Sequence, residues 1–256
     1  MRVVISAVAL AVIAVAGTAA ISQNVPSTPV AVELFTSQGC SSCPPADAIA
    51  ERLAKEPNTV VITRPVTYWD RLGWKDTLAR EANTSLQNAY AARGGRGAGV
   101  YTPQSVIQGG DAAVGNRESE LRQLIAAEKK RPGPSVSAVR SDDGGRVVTI
   151  DGTTPSVATI SVVALKSESI VKIGRGENDG RSVKYTNVAL ADTNVARWRG
   201  GKMTFTVPGN VFKAPGADRY ALVVQLGTAG RIVAARYLYH VTPAEAGVAL
   251  MLRSRP

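Results

Sequence analysis

Histidine and cysteine are scarce in this chain: one His and two Cys among 256 residues. The single histidine, His240, lies in a β-rich stretch and reads as a core or edge residue. No Ser-His-Asp triad, P-loop or dinucleotide fingerprint is present. Zinc normally takes four nitrogen or sulfur ligands in a closed site. Two thiols with no local histidine or methionine do not supply them, and Met203 and Met251 are remote in sequence. Cu(I), which accepts two thiolates, stays open as an alternative. No cofactor is called for. Internal repeats are absent. Beyond the N-terminus no segment is apolar over the roughly 20 residues that a membrane span needs.

The N-terminus itself carries a pattern. Arg2 is the only charge before the apolar run at 3–15, and Gly17-Thr18-Ala19-Ala20 follows. A basic start, a short apolar stretch and small residues make up a secretory signal, cut near Ala19 or Ala20. An uncleaved anchor is the alternative, for which the run is short. The expectation is a signal peptide at 1–20, a polar linker at 21–29, and a periplasmic or secreted protein with no stable membrane span after cleavage. Lys and Arg number 30 against 20 Asp and Glu, a net charge of +10. The charges are scattered, which suits an ordinary surface or weak attraction to an anionic envelope. "RGGRGAG" at 93–99 lacks the repetition and aromatics of a nucleic-acid patch and reads as a loop, so no nucleic-acid partner is expected.

Val30, Ala31, Val32, Leu34 and Phe35 make a strand interrupted by Glu33. Cys40 and Cys43 follow, and Pro44-Pro45 suit a first helical turn, where a missing N–H matters little. Asp47, Ala48, Ile49, Leu53 and Ala54 form a helical stripe, and "VVITRPV" at 60–66 is the next strand. Strand, CxxC, helix and strand imply a parallel βαβ unit. Leu78, Ala82, Leu86, Ala89 and Tyr90 space as one helical face. A short strand at 105–108 follows Thr102-Pro103. Asn116 can cap a helix that is acidic early and basic late. After residue 134 the chain turns to β-rich segments with the spacing of a sandwich. "GRGENDGRS" at 174–182 reads as a hairpin turn, with contact to a ligand or to the first domain as the alternative.

A CxxC that opens a helix has a chemical use. The positive end of the helix dipole and its free N–H groups lower the pKa of the first thiol, and the second can resolve a mixed disulfide. In an exported protein the pair may equally stay oxidised, but a clip around so small a loop contributes little stability.

"VAVELFTSQGCSSCPPAD", "TYWDRLGWKD", "VYTPQSVIQGG" and "GENDGRSVKYTNV", in that order, resemble a bacterial family of secreted proteins known as domain of unknown function 1223. The resemblance runs from about residue 30 to 239 and implies a thioredoxin-like fold. It also implies a cis Thr102–Pro103 bond beside the cysteines, shaping a substrate groove. Glu33 would then take a proton from Cys43, or else be solvated or Arg-paired. Tyr68, Trp69 and Trp74 would wall the groove or pack the following helix on the sheet. One departure stands out. Family members commonly read His-Val-Asp-Tyr-Trp-Asp where this chain has "PVTYWD", so Pro65 and Thr67 replace a histidine and an aspartate and weaken a metal site.

The expected architecture is an α/β thioredoxin-like domain at 30–132, a mixed sheet with flanking helices, followed by a β-sandwich-like domain at 135–242 and a tail at 243–256. The expected function is thiol–disulfide exchange on envelope proteins, with protein thiols or disulfides and a redox partner protein as partners. Cys40 attacks, Cys43 resolves, Pro103 and Thr102 hold the substrate backbone, and Glu33, Tyr68 and Trp69 assist. A non-catalytic binding module with a permanent disulfide is the main rival.

Overall fold

The computed structural model describes residues 29–238. The segment expected to be a signal peptide, most of the expected linker, His240, Met251 and the expected tail lie outside them.

Strand β1 (Val30–Thr36) is buried along its whole length, as is β2 (Thr59–Pro65). They pair in parallel, Val30 opposite Thr59 through Thr36 opposite Pro65. A strand covered on both faces should be apolar throughout, and the alternation assigns each side chain. Val30, Val32 and Leu34 face α1 (Pro44–Ala54) and its partners Ala46, Ile49, Ala50 and Leu53. Ala31, Glu33 and Phe35 point the other way. Helix α1 buries Ala46 and Ala50 where the sequence pattern favoured Ala48, which is exposed.

Helix α2 (Glu81–Arg93) departs further from its expected face. It buries Asn83, Thr84, Gln87 and Tyr90 and leaves Ala82 exposed. The reason is that it docks on backbone and polar groups. Asn83 Nδ2 donates to Pro65 O at 2.9 Å, Gln87 Nε2 donates to Tyr101 O at 2.7 Å, and Thr84 Oγ1 accepts from Thr67 N at 2.9 Å. Tyr90 meets Phe35 edge-on, and the half-buried Leu86 and Ala89 pack against the same apolar cluster.

Strands β3 (Gln104–Ile107) and β4 (Ala112–Val114) form a hairpin whose first strand runs antiparallel to β1. Helix α3 (Glu118–Lys129) covers the same face as α1 through Leu121, Leu124 and Ile125. Its N-cap is Arg117, one residue past Asn116, with no side-chain cap.

The expected boundary at 132–135 falls in the turn between α3 and β5 (Ser135–Arg140), and one sheet runs through both parts of the chain. Its order is β11-β10-β7-β8-β2-β1-β3-β4. Here β7 is Ala158–Lys172, β8 is Ser182–Trp198, β10 is Arg219–Leu226 and β11 is Ile232–Tyr237. The junction is a parallel contact of Thr63 with Val188. A second sheet, β5 with β6 (Arg146–Asp151) and β9 (Met203–Val207), packs on the β7/β10/β11 end. Val148, Ile150, Ile160, Trp198 and Leu222 fill the space between the two layers.

Candidate functional site

Cys40 and Cys43 are joined by a disulfide, with Cα atoms 5.4 Å apart. Cys43 is the N-cap of α1, and its carbonyl accepts from Ala46 N and Asp47 N. Pro44 and Pro45 occupy the first two helical positions and have no N–H to offer. Stabilisation of a Cys40 thiolate therefore falls to the helix dipole and to Ser42. The Ser42 hydroxyl lies 3.4 Å from the Cys40 sulfur, and it donates, since a disulfide sulfur has no proton. Both cysteines are 0% exposed, while Ser41 and Ser42 between them face solvent.

The loop before Cys40 is clamped by the 67–78 segment. Gln38, fully buried, donates its backbone N–H to Asp76 Oδ2 at 2.8 Å and accepts at Oε1 from the Trp74 indole at 2.8 Å. Asp76 is itself buried and also accepts from Leu78 N. Burial, aided by Asp70, raises its pKa despite those bonds. Trp69 packs its Cβ against Gly39 and donates its indole N–H to Thr102 Oγ1 at 2.8 Å. It thereby links the cysteine loop to the Thr102–Pro103 peptide, which is cis. Trp69, Leu72 and Trp74 line a cavity of about 430 Å³ together with Gly39, Gly176 and Glu177. Tyr68 instead lines a separate cavity with Thr67, Arg71 and Asn88.

Gly115 is where Pro103, β1 and α1 converge. A Cβ there would stand 2.9 Å from Leu34 Cδ1, 3.0 Å from Pro103 Cβ and 3.1 Å from Ala46 Cβ. Overpacking of this kind costs about 1–3 kcal/mol, so Gly115→Ala is expected to lower the urea midpoint without altering the slope.

Two buried acids differ in their surroundings. Glu33 accepts from Arg64 Nε at 2.6 Å and from the Tyr90 hydroxyl at its other oxygen. This is the Arg-paired alternative, and both oxygens are engaged. Asp47 is also buried, but neither of its oxygens has a hydrogen-bond partner among the described residues, nor does the nearby Thr36 hydroxyl. Burial holds the Asp47 carboxyl well above the usual range. Thr36, close but not at bonding distance, offsets a part, and Asp76 adds to the rise. Side chains on a helix lean towards its N-terminus and meet the residue four before. For Asp47 that residue is Cys43. The sequence showed Asp47 as one member of a stripe; only its missing partners single it out.

The remaining piece comes from the turn between β7 and β8. Asn178 donates both Nδ2 hydrogens, to Gln38 O at 3.0 Å and to Cys40 O at 2.8 Å. Glu177 Oε2 accepts from Ser41 N at 2.9 Å, and the Ser41 hydroxyl followed by this backbone N–H lowers its pKa. "GRGENDGRS" is the hairpin turn expected of it, and its Glu177 and Asn178 also make the alternative contact with the first part of the chain. Beyond the cysteines themselves, the described residues hold no group of three or more His, Cys, Asp or Glu arranged for a metal.

A search of the curated proteins returned no match. Among solved structures, protein AGR_C_4864 from Agrobacterium tumefaciens is 29% identical with a TM-score of 0.74, covering 84% of this chain and 96% of that one. HBP35 of Porphyromonas gingivalis is 14% identical with a TM-score of 0.53, covering 82% of this chain and 74% of its own, a likeness of fold alone. The family described as protein of unknown function (DUF1223) matches residues 31–225, and the chain belongs to that family.

Proposed function

We propose that the protein is an exported, thioredoxin-like thiol–disulfide oxidoreductase acting on proteins of the cell envelope. The observation that carries this reading is a CxxC disulfide at a helix start with an unpartnered, buried carboxyl one turn behind it. The fold assignment is supported by the parallel β1–α1–β2 unit, the antiparallel β3 and the Thr102–Pro103 peptide at its entry. Export is supported by the charged-then-apolar N-terminus.

In the oxidising direction a partner thiolate attacks the Cys40 sulfur. The Cys40–Cys43 bond breaks and its electron pair leaves on Cys43. Cys43 is shut off from water, and the buried Asp47 carboxyl, whose pKa burial raises, donates the proton that Cys43 takes up. A second partner thiolate attacks the partner sulfur of the mixed disulfide and releases Cys40 as thiolate. The partner leaves with a disulfide and the pair is reduced. Run backwards, the same steps reduce a partner, with Asp47 taking the Cys43 proton.

Cys43→Ser is expected to accumulate mixed disulfides through Cys40 in an envelope extract, and Cys40→Ser is not. Equal trapping by both variants, or by neither, contradicts the assignment. The rival, a binding module with a permanent disulfide, is favoured by one observation, the complete burial of both cysteines.

A further inference from the structure

The cover over the cysteines is built from the far end of the chain. Strands β7 and β8 are 15 and 17 residues long, where about 5–6 is common. Past the contact of Val188 with β2 they continue as a two-stranded arm, pairing as far as Lys172 with Ser182. The arm lies along α1, and Lys184 holds Glu51 of that helix at 3.2 Å. Its inner side chains Ile173, Val183 and Tyr185 pack with Trp74 and Leu78. The tip folds on itself through Gly180 N to Ile173 O and Ile173 N to Arg181 O, both 2.9 Å. A Cβ at Gly174 would sit 3.2 Å from the Trp74 ring, a tight contact.

We propose that Asn178 is a positioning residue of the disulfide site, and that the tip it stands on, residues 173–181, is a gate that lifts before any thiol reaches Cys40. The amide is 1% exposed and its donors are fully used on the two carbonyls that frame Gly39. Its Oδ1 accepts from Arg181 Nη1 at 3.1 Å, which fixes its orientation. Glu177 adds one bond to Ser41 from outside. Lifting the tip breaks these polar contacts together with the packing of Ile173 on Trp74 and Leu78, and leaves the strand pairing of the rest of the sheet intact. The 430 Å³ cavity beside Gly176 and Glu177 gives the tip room on that side. A lifted tip also leaves the Gln38 and Cys40 carbonyls free to accept from the backbone N–H groups of an extended partner segment. The gate accounts for a CxxC that is built for exchange and yet closed, but it rests on the burial and the bonds, and holds whether the pair is catalytic or permanent.

The test is the reduction of the oxidised full chain by dithiothreitol, followed by alkylation and mass measurement. Two lost hydrogen bonds of ordinary strength correspond to roughly ten- to thirty-fold, so Asn178→Ala is expected to be reduced that much faster than the unmodified protein. Asn178→Asp keeps the shape and loses the donors, and is expected to match it. Glu177→Ala, at an exposed position, is expected to give roughly threefold or more and keeps the test alive if Asn178→Ala does not fold. The reduction potential should stay the same in all variants, because a gate speeds both directions alike. A purely structural role makes a different forecast. Reduction would then wait for global unfolding and rise steeply with urea, whereas opening a tip exposes little surface and gives a shallow urea dependence. Equal reduction rates in all four proteins, or a urea slope equal to that of global unfolding, overturns the gate. Fast reduction with no mixed disulfides in any variant would uphold the gate and count against the exchange function.

Discussion

Asp47→Ala is expected to make the protein more stable at neutral pH and slower at exchanging disulfides. A buried polar group without a partner costs about 1–3 kcal/mol, and Asp47 has none among the described residues. Its folded pKa lies above the unfolded value because of burial. The folded state then holds the proton more tightly than the unfolded chain. Stability is fullest below the unfolded carboxylate value and declines as pH rises towards the folded one. The advantage of Asp47→Ala over the unmodified protein should therefore grow from acid to neutral pH, as read by urea unfolding along a pH series. Exchange moves the opposite way. General acid–base groups are worth about a hundredfold or more, and the step affected is release of Cys43. Asp47→Asn keeps the volume, removes the proton, and should share the loss of rate and of its pH dependence. A variant that is less stable but exchanges at the normal rate would show that Asp47 serves packing alone.

Arg64→Met carries the largest expected loss of stability. The Arg64 side chain is 4% exposed and joins Glu33 at 2.6 Å with Asp192 at 3.0 Å. A further bond at 3.3 Å reaches Asn83 of α2. Burial pushes the Asp192 carboxyl up, but Arg64 and then Arg80 outweigh it and hold the pKa below the ordinary range. Removing the arginine leaves the enclosed Glu33 carboxyl with only the Tyr90 hydroxyl for company. Breaking a buried pair from one side typically costs about 3–5 kcal/mol. The urea midpoint should fall accordingly. Arg64→Met combined with Glu33→Leu should recover much of the loss, since apolar replacement of a whole pair is often close to neutral. No recovery in the double variant would mean that the pair, rather than the stranded carboxyl, supports the fold.

The legible parts of this structure are those governed by short-range rules. The apolar run of β1, the proline pair at the start of α1 and the punctuation around β3 can all be read from local pattern. Helix α2 packs through Leu86, Ala89 and Tyr90 as its pattern suggests, but most of its buried surface is polar and escapes that pattern. Asn83, Thr84 and Gln87 look like solvent-facing residues until the backbone carbonyls they bond are in view. The roles proposed for Asn178 and Asp47 depend on what lies beside them in space. Asn178 reaches Cys40 across 138 positions of sequence, and no period or motif encodes that distance. Glu33 stood out as an acid in an apolar strand, a sound reason for attention. Its partner Arg64 stands on the neighbouring strand β2, with Glu33 opposite Ile62 in the register. The single parallel contact that fuses the β-rich part to the first sheet was likewise silent in the local texture.

The most direct measurement is the reduction potential of the Cys40–Cys43 couple, obtained by equilibrating the mature protein in glutathione buffers. An exchanger is expected within the span of known oxidoreductases, about −270 to −120 mV. A value below about −300 mV, where structural disulfides lie, would contradict exchange and make the pair a permanent clip beneath its cover.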